Sequence, residues 1–401
     1  MLPALWSSMS NPGPRRGFIQ GLGAAAFASW ALPARGEDRP GTVLPTRGPV
    51  RAKELPQNAP SSRFRPVSRL GLGGVAIGNG FAPATDQQCD EAMAAAWTSG
   101  VRYFDTSPWY GLGLSERRFG LFLKDQPRDQ FVLSTKVGRV FDAAAKPPNT
   151  PWKNPSPFKY HYDYTAAGVR RSLEDSLQRL GLDRIDIVFV HDLSPDNNDL
   201  GDRWTEQFDV AKTGAFVELS KMRKEGLIKA WGLGVNRALP ALRAIEVADP
   251  DIVLLATQYS LIEHQEAVEK TFPALEKRGI SVVVGAPLNA GYLAGRERYD
   301  YSGTVPEGAA EKRNEIQRVV NSHGIDLRTV ALQFCAAPKV VAAVIPGART
   351  AEQARANSLS MRVAIPPALW DDLRHASLIH EAAAVPGKSN AGKPDPSVKA
   401  Q

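Results

Sequence analysis

Short apolar runs alternate with amphipathic segments along most of this chain. The runs at 184–191 and 280–288 are almost continuously apolar, which is typical of strands buried on both faces. Between such runs, segment 165–181 has apolar residues at helical spacing and ends at Gly181, a common helix terminator. The apolar face of that helix comprises Val169, Leu173, Leu177 and Leu180. The pattern therefore predicts alternating strands and helices from about residue 68 onwards.

Eight strand candidates follow from this pattern. They are residues 69–78, 101–105, 131–138, 184–191, 228–236, 251–260, 280–288 and 340–348. The predicted helices include 165–181, 214–226, 238–248, 265–279, 308–337 and 350–360. Such alternation favours an α/β fold, and eight units indicate a (β/α)8 TIM barrel that forms one domain over residues 67–380. A Rossmann domain is not supported, because the glycine cluster near Gly71 lies inside the first strand candidate rather than between a strand and a helix.

Titratable side chains follow three consecutive strand candidates at the point where each apolar run ends. They are Asp105, Lys136 and His191, and Tyr110 comes five residues after the first of them. Active sites of (β/α)8 barrels lie at the C-terminal ends of the strands, so these four side chains are expected on one rim. Any one of them alone is more often a cap or an otherwise satisfied strand-end residue, whereas four together indicate a site.

The four residue types are suited to moving one proton at an oxygen atom. A tyrosine phenol has a pKa of about 10 in water, and an ammonium such as that of Lys136 is expected to lower it by stabilising the phenolate. Asp105 can hold that lysine, and His191 can donate to, or relay a proton at, the same oxygen. Tyr110 is therefore predicted to be the general acid/base. This chemistry points to carbonyl reduction or alcohol oxidation with a nicotinamide cofactor.

Amino-acid composition excludes several other classes of protein and kinds of site. The 401 residues are 43% hydrophobic and 23% charged, the balance of a globular protein with a large core. The net charge of +7 is not concentrated in a Lys/Arg run with interleaved aromatics, so nucleic-acid binding is not supported. Cys89 and Cys335 have no CxxC or metal spacing, and the six histidines show no ligand pattern. Neither a disulfide nor a metal site is predicted.

The first 36 residues have the pattern of an export signal. Arg15 and Arg16 precede Phe18, an apolar stretch follows at about 21–34, and this segment contains no acidic residue. The apolar stretch is too short to span a bilayer. Removing residues 1–36 would subtract three positive charges from +7 and leave +4. The order resembles a twin-arginine signal, which implies the twin-arginine export machinery as a partner, no stable membrane span and a periplasmic or exported location.

Two further segments flank the predicted barrel. Cleavage of the signal is expected after Ala34 or Gly36. Residues 37–66 are rich in Pro, Gly and Arg and are predicted to be a linker. Residues 381–401 are predicted to be a flexible C-terminal tail.

Four motifs, in order, carry a family resemblance. They are GVRYFDTSPWYGLGLSE from residue 100, LSTKVGR from 133, DIVFVHD from 186 and VIPGARTAEQARAN from 344. Together they resemble the aldo-keto reductases over about residues 66–380. The resemblance implies a (β/α)8 barrel, NADP or NAD as cofactor, and a catalytic tetrad with a tyrosine as proton donor. The tetrad positions are Asp105, Tyr110, Lys136 and His191.

Two more stretches, AWGLGVN and TQYSLIEHQ, narrow the resemblance to one branch of the family. They are most similar to the branch that contains aldose 1-dehydrogenases, L-fucose dehydrogenases and pyridoxal dehydrogenases. That branch implies oxidation of a sugar or another small alcohol, in which Tyr110 acts as the base and the cofactor is reduced.

The same resemblance implies a set of cofactor-binding residues. Asn236 and Gln258 would hold the nicotinamide carboxamide. The phosphates of the adenosine half would lie at the turn and helix N-terminus after the last strand, where free N–H groups suit an anion. The residues implied there are Gly347, Arg349, Gln353 and Asn357. A single arginine, Arg349, leaves the choice between NAD and NADP open.

The expected pocket has one departure from the family pattern and an aromatic character. Many family members stack a tyrosine of the seventh strand on the nicotinamide, but this chain has Gly285 there, so either another residue covers the ring or the cofactor is held less tightly. Trp109 is predicted to form an aromatic wall beside Tyr110. The long segment 146–164 is either a loop that shapes the pocket, with Trp152 facing the substrate, or a surface loop stiffened by prolines.

Two other functions are compatible with parts of this pattern. A cofactor-binding sensor or regulatory protein with little turnover is the alternative, because channel-associated β subunits resemble the same family. All four tetrad residues are present here, which favours an enzyme. A (β/α)8 glycosidase needs two catalytic carboxylates across a cleft. Among the strand-end residues named above, Asp105 is the single acid, although Asp192 follows His191.

Overall fold

The computed structural model describes residues 43–301 and 303–387. The predicted export signal at 1–36 and residues 388–401 of the predicted tail lie outside the described residues. Of the tail positions that are described, Ala383 and Val385 are buried. Within the described ranges, no helix has the length and hydropathy needed to cross a bilayer, and no three His, Cys, Asp or Glu side chains are grouped to hold a metal ion.

Eight parallel strands form a sheet that nearly closes into a barrel. In chain order, the strands of the described residues are β1 (Leu72–Gly73), β2 (Tyr103–Asp105), β3 (Val132–Val137), β4 (Arg139–Ala143), β5 (Phe158–Tyr162), β6 (Ile187–His191), β7 (Ala230–Val235), β8 (Ile252–Ala256), β9 (Ser281–Gly285) and β10 (Val341–Ile345). The barrel order is β1-β2-β3-β6-β7-β8-β9-β10, and parallel bridges from Leu70 to Val344 and from Gly73 to Gly347 connect its two edges. The predicted barrel is confirmed, and each strand candidate contains one barrel strand.

Helices separate the barrel strands along the chain. In the described residues they are α1 (Asp86–Thr98), α2 (Leu114–Leu123), α3 (Ala166–Leu180), α4 (Trp204–Thr213), α5 (Ala215–Lys224), α6 (Ala238–Val247), α7 (Phe272–Lys277, preceded by a π-helical turn at Ala267–Thr271), α8 (Ala309–Ser322), α9 (Leu327–Ala336), α10 (Ala351–Ser360) and α11 (Pro367–His375). The predicted helix over 308–337 is two helices. Gly324 at φ 69° follows the first, and the Asp326 side chain caps the second by accepting from Thr329 N.

Two apolar layers form the core. The inner layer fills the barrel with side chains such as Tyr103, Phe189 and Val283, and the outer layer lies between the sheet and the helices. Both faces of the barrel strands are therefore buried, which explains the continuous apolar runs in the sequence. The strands also approach closely, because a Cβ at Gly232 would lie 1.7 Å from the carbonyl oxygen of Ile252.

β4 and β5 form an antiparallel hairpin directly after β3. The register pairs Arg139 with Tyr162 and Phe141 with Tyr160, so that one arginine and several aromatic side chains share a face. The prediction that the whole of 146–164 is a loop is wrong for β5, whose FKYHY sequence pairs as a strand. This hairpin brings an arginine and aromatic rings to the rim of the barrel.

Residues 43–66 contact the barrel. The Arg328 guanidinium of α9 donates to the carbonyl of Leu44 at 3.0 Å. The Asn58 amide donates to the carbonyl of Ala342 in β10 at 2.7 Å. These hydrogen bonds attach the segment before β1 to two elements from the far end of the chain.

Candidate active site

Four titratable side chains meet at the C-terminal rim of the barrel. Asp105 and His191 are the last residues of β2 and β6, Lys136 is next to last in β3, and Tyr110 lies in the turn after β2. All four are buried, with at most 9% of any one exposed. The structure brings the four predicted catalytic residues together, as expected for parallel strands whose carboxyl ends share one rim.

Asp105 and Lys136 form a buried ion pair. Lys136 Nζ donates to Asp105 Oδ2 and to the carbonyl of Thr106, both at 2.8 Å. Ser134 Oγ donates to the other carboxylate oxygen, Oδ1, at 2.7 Å. Burial raises the pKa of Asp105 and lowers the pKa of Lys136, whereas their mutual attraction opposes both shifts. Because both carboxylate oxygens have donors, the pair is held in one position.

Tyr110 lies directly beside this ion pair. Lys136 Nζ is 4.5 Å from the centroid of the Tyr110 ring. The turn fits closely around the tyrosine, since a Cβ at Gly78 would lie 2.7 Å from its carbonyl carbon. Burial raises the pKa of Tyr110 well above its ordinary value, and the charges of Asp105 and Asp192 add to this. The pKa shift is opposite to the predicted one, because burial and the two carboxylates outweigh the stabilisation that Lys136 can give the phenolate. The phenol is therefore protonated at neutral pH.

His191 faces Tyr110 across the same space. Their rings meet edge to face, with centroids 5.9 Å apart. Ser107 Oγ and Arg139 Nη1 lie 3.0 and 3.3 Å from His191 Nδ1. Burial lowers the pKa of His191 well below its ordinary value, and the nearby cations Arg139 and Lys136 lower it further. A neutral imidazole can donate a hydrogen bond to a substrate oxygen, so the structure favours donation over proton relay.

Two charged residues of the site, Arg139 and Asp192, received no role from the sequence. Arg139 Nη1 is 2.9 Å from Asp192 Oδ2, and their side chains are 4% and 19% exposed. Asp192 directly follows His191, and Arg139 follows Lys136 by three positions. Both lie inside the motifs LSTKVGR and DIVFVHD, which is the signal that could have identified them.

Aromatic rings enclose one side of Tyr110. The Trp152 ring is 5.6 Å from the Tyr110 ring and 5.7 Å from the Trp109 ring, measured between centroids. Trp109 also lies 4.9 Å from Tyr160 of the hairpin. The structure thus places both predicted substrate residues in one aromatic wall next to Tyr110. Such a wall can pack against the apolar face of a sugar ring or against an aromatic alcohol.

Asn236 and Gln258 follow β7 and β8 on the same rim, and both are half-buried. Asn236 Nδ2 donates to Asp196 Oδ2 at 3.2 Å. Within the described residues, the Gln258 side chain makes no hydrogen bond. Two side-chain amides on one rim match the donors and acceptors of a carboxamide, so these positions fit the nicotinamide that the resemblance implies.

The turn after β10 leads into the N-terminus of α10. Thr350 caps this helix, and its side chain accepts from Gln353 N. Gln353 Oε1 accepts from Arg349 N at 2.8 Å, and Asn357 Nδ2 donates to the Gly347 carbonyl at 3.4 Å. The four predicted phosphate-binding residues therefore surround one turn, whose shape Gln353 and Asn357 stabilise. A helix N-terminus with a neighbouring arginine fits the phosphates of a dinucleotide.

Gly285 ends β9 where the neighbouring strand packs closely against it. A Cβ at this position would lie 3.0 Å from the Cβ of Ala256. Gly285 thus stands where many family members have a tyrosine, and there is little room for a side chain at this position.

Comparisons with known proteins agree with these motifs and with the fold. A family model described as the Aldo/keto reductase family matches residues 69–377. The D-threo-aldose 1-dehydrogenase of a Pseudomonas species is 36% identical over 324 residues, which cover 78% of this chain and 95% of that protein. The pyridoxal 4-dehydrogenase of Microbacterium luteolum is 36% identical over 330 residues, with 78% and 95% covered. Among solved structures, an aldo-keto reductase from Bacillus halodurans has the same fold, with a TM-score of 0.62 at 24% identity over 83% of this chain and 98% of that one.

Proposed function

This chain belongs to the aldo/keto reductase family, and from that premise we propose that it interconverts an aldose, or a comparably small alcohol, with the corresponding carbonyl compound. The family and its dehydrogenase relatives make it an NAD(P)-dependent oxidoreductase of carbonyl and alcohol substrates. The observation that carries the proposal is the buried cluster of Tyr110, Lys136, Asp105 and His191 at the barrel rim.

The described residues of the rim support a site for the cofactor. When bound, NAD(P) supplies the hydride for reduction or accepts it during oxidation. Asn236 and Gln258 would hold its carboxamide, and the turn from Gly347 into α10 would hold its phosphates. The side chain of Arg349, next to this turn, is available for a 2′-phosphate.

Tyr110 performs the proton transfer. In reduction, its protonated phenol gives a proton to the substrate oxygen as negative charge develops there. His191 donates a hydrogen bond to the same oxygen, and the ammonium of Lys136 stabilises the phenolate that remains. Asp105 keeps the ammonium in place through its 2.8 Å contact. In oxidation the phenolate takes the proton of the substrate hydroxyl, so both directions use the same groups.

The aldose assignment is supported by two independent features. One of the 36% identical relatives is named a D-threo-aldose 1-dehydrogenase. The wall formed by Trp109, Trp152 and Tyr160 provides a surface on which the apolar face of a pyranose can pack. The relative named pyridoxal 4-dehydrogenase has the same identity, so a flat aromatic alcohol is the natural comparison substrate.

Turnover by the purified protein without residues 1–42, measured at the reduced-nicotinamide absorbance band, tests the proposal. Aldoses, pyridoxal and simple alcohols would be compared with both nucleotides. We expect Tyr110→Phe to lower kcat by about 10²- to 10⁴-fold and to leave the nucleotide Kd unchanged, because the ring remains and the acid is lost. Tyr160→Phe is the matched control, because it removes another phenol of the same aromatic wall, one that donates to Asp199. This variant should keep most of its activity.

Two outcomes would contradict the proposal. Full activity of Tyr110→Phe would remove the tyrosine from the proton transfer. Nucleotide binding without turnover on any substrate would instead indicate a cofactor-binding sensor on the same barrel.

We propose further that residues 1–36 direct export by the twin-arginine route and that the mature protein is periplasmic. The support is the order of Arg15, Arg16 and the apolar stretch in a segment without acids. Because that route carries folded proteins, the enzyme would leave the cytoplasm with its nucleotide bound. Replacing both arginines with lysine should retain the protein in the cytoplasm, whereas Arg35→Lys should not. Equal export of the double variant would contradict the twin-arginine route. A mature protein that holds no nucleotide would contradict export with the nucleotide bound.

A further inference from the structure

Arg139 is a buried cation that the catalytic tetrad does not account for. Its side chain is 4% exposed, although it lies at the start of the hairpin strand β4. Its Nε and Nη2 donate to Tyr162 Oη at 3.1 and 2.8 Å. The guanidinium also lies 4.6 Å from the centroid of the Trp109 ring. These contacts fix its orientation.

The remaining terminal nitrogen of Arg139 faces His191. Arg139 Nη1 lies 3.3 Å from His191 Nδ1 and 2.9 Å from Asp192 Oδ2. A guanidinium has N–H donors and no acceptor, so its contact with Nδ1 is a hydrogen bond only when Nδ1 carries no proton. The proton of a neutral His191 must then lie on Nε2.

Ser107 cannot impose this choice. Its Oγ is 3.0 Å from the same Nδ1, but a hydroxyl can either donate or accept. Its hydrogen bond from Trp109 N at 3.1 Å is compatible with both roles. On the other side of the ring, Asp192 Oδ1 is 3.5 Å from Nε2, too far for a hydrogen bond, and its charge favours the same tautomer. The Arg139 guanidinium is therefore the group at Nδ1 that selects the tautomer of His191.

The charges around His191 come from several elements. The charged groups that act on it are Arg139 of β4, Lys136 of β3 and Asp192 after β6, and Asp105 of β2 is paired with Lys136. The phenols in contact with it are those of Tyr110 and of Tyr164, which donates to the His191 carbonyl at 2.8 Å, and the Tyr162 phenol contacts Arg139. Each carboxylate is already paired with one of the two cations. A proton added to His191 would therefore create an unpaired buried charge, which burial and both cations oppose.

We propose that Arg139 is a positioning residue that keeps His191 neutral with its proton on Nε2, so that this N–H is always available to the substrate oxygen. Asp192 neutralises Arg139 and allows a guanidinium to be buried beside the site. The inference rests on the proposed role of His191, but it assigns a property to the free protein that can be measured without turnover.

The protonation state of His191 is the direct test. Long-range ¹H–¹⁵N spectra of the protein labelled at histidine distinguish both neutral tautomers from the imidazolium, and His191→Gln identifies the signal. We expect the Nε2–H form throughout about pH 5 to 8. A proton on Nδ1, or titration of His191 within that range, would overturn the proposal.

Variants separate positioning from a merely structural role. In Arg139→Met we expect the pKa of His191 to rise, so that it titrates at a higher pH than in the unmodified protein, because one of the two cations that lower it is removed and Asp192 loses its partner. We also expect kcat to fall about tenfold with KM changed less than about twofold, and to become pH-dependent where His191 titrates. Arg139→Lys keeps the positive charge but lacks the planar set of guanidinium N–H donors. Compared with Arg139→Met, it should therefore restore a neutral His191 and part of kcat. Arg171→Met is the matched control, because Arg171 donates to the Phe141 carbonyl of the same hairpin at 3.3 Å.

The outcomes distinguish this inference from the proposed function. If His191 in Arg139→Met keeps its tautomer and does not titrate, Arg139 has no positioning role, even where kcat falls. If Arg139→Met does not fold, the spectra of the unmodified protein and of Arg139→Lys decide the question. If Tyr110→Phe retains activity, the proposed function is wrong, whereas the His191 spectrum still reports on Arg139.

Discussion

At the scale of the residue, burial acts in opposite directions on the two groups that face the substrate. It raises the pKa of Tyr110 and lowers the pKa of His191, because desolvation disfavours the charged form of each. Both side chains are therefore neutral hydrogen-bond donors at neutral pH. A site with two neutral donors is prepared for a carbonyl oxygen that gains negative charge.

The raised pKa of Tyr110 makes a prediction about pH. Reduction needs the protonated phenol, which persists up to the raised pKa, so its kcat should be nearly constant from about pH 6 to 8. Oxidation needs the phenolate, so its kcat should increase with pH, by up to about tenfold per unit below that pKa. Initial rates in both directions, with saturating substrate and nucleotide, check this. An oxidation rate that falls as the pH is raised would contradict the assignment of Tyr110 as base.

At the scale of the element, the hairpin β4–β5 links the fold to the pocket. It supplies Arg139 to His191 and Tyr160 to the Trp109 ring. Phe141 and Phe158 stack within it, with ring centroids 5.6 Å apart. The hairpin is thus an aromatic element that holds one side of the pocket, and its packing should affect the substrate more than the cofactor.

Loosening the hairpin tests this division. Phe158→Ala removes the stack on Phe141 and should lower the free energy of unfolding by about 1–2 kcal/mol. It should raise the KM for the sugar on the order of fivefold and leave the nucleotide Kd unchanged, because the predicted cofactor residues follow β7, β8 and β10. Calorimetry and steady-state kinetics check the two effects. His161→Ala, on the exposed side of the same strand, is the control, and an equal KM change there would contradict the prediction.

At the scale of the whole molecule, residues 43–66 join distant parts of the barrel. Arg328 is buried, and its partners in this segment are the Leu44 carbonyl and Thr46 Oγ1, at 3.0 and 2.8 Å. Leu55 is also buried. A guanidinium that loses its partners remains desolvated, which is costly.

A chain that begins at Val67 should therefore be less stable than one that begins at Val43. We expect a loss of more than about 3 kcal/mol, because a buried arginine loses partners and apolar contacts are removed. Denaturant unfolding of both chains measures the difference, and Thr46→Val in the longer chain isolates one hydrogen bond. Equal midpoints for the two chains would mean that the segment does not support the barrel.

The sequence by itself determined the barrel and the place of its active site. Eight apolar runs with polar ends specify eight buried strands, because alternation with helices leaves a parallel sheet as the arrangement that buries both faces. The carboxyl ends of parallel barrel strands meet at one rim, so the sequence also predicts that Asp105, Lys136, His191 and Tyr110 lie together. No side-chain contact has to be known for this prediction.

Only the tertiary structure decided how these groups are charged and which neighbours complete the site. The burial of Tyr110, together with the charges of Asp105 and Asp192, reverses the expected direction of its pKa, and no pattern in the sequence reports how deeply a side chain is buried. The pairing of Arg139 with Asp192 and His191 depends on a hairpin register and on two strands that adjoin in the barrel. Contacts between residues far apart in the chain, and the desolvation they cause, are properties of the packed molecule.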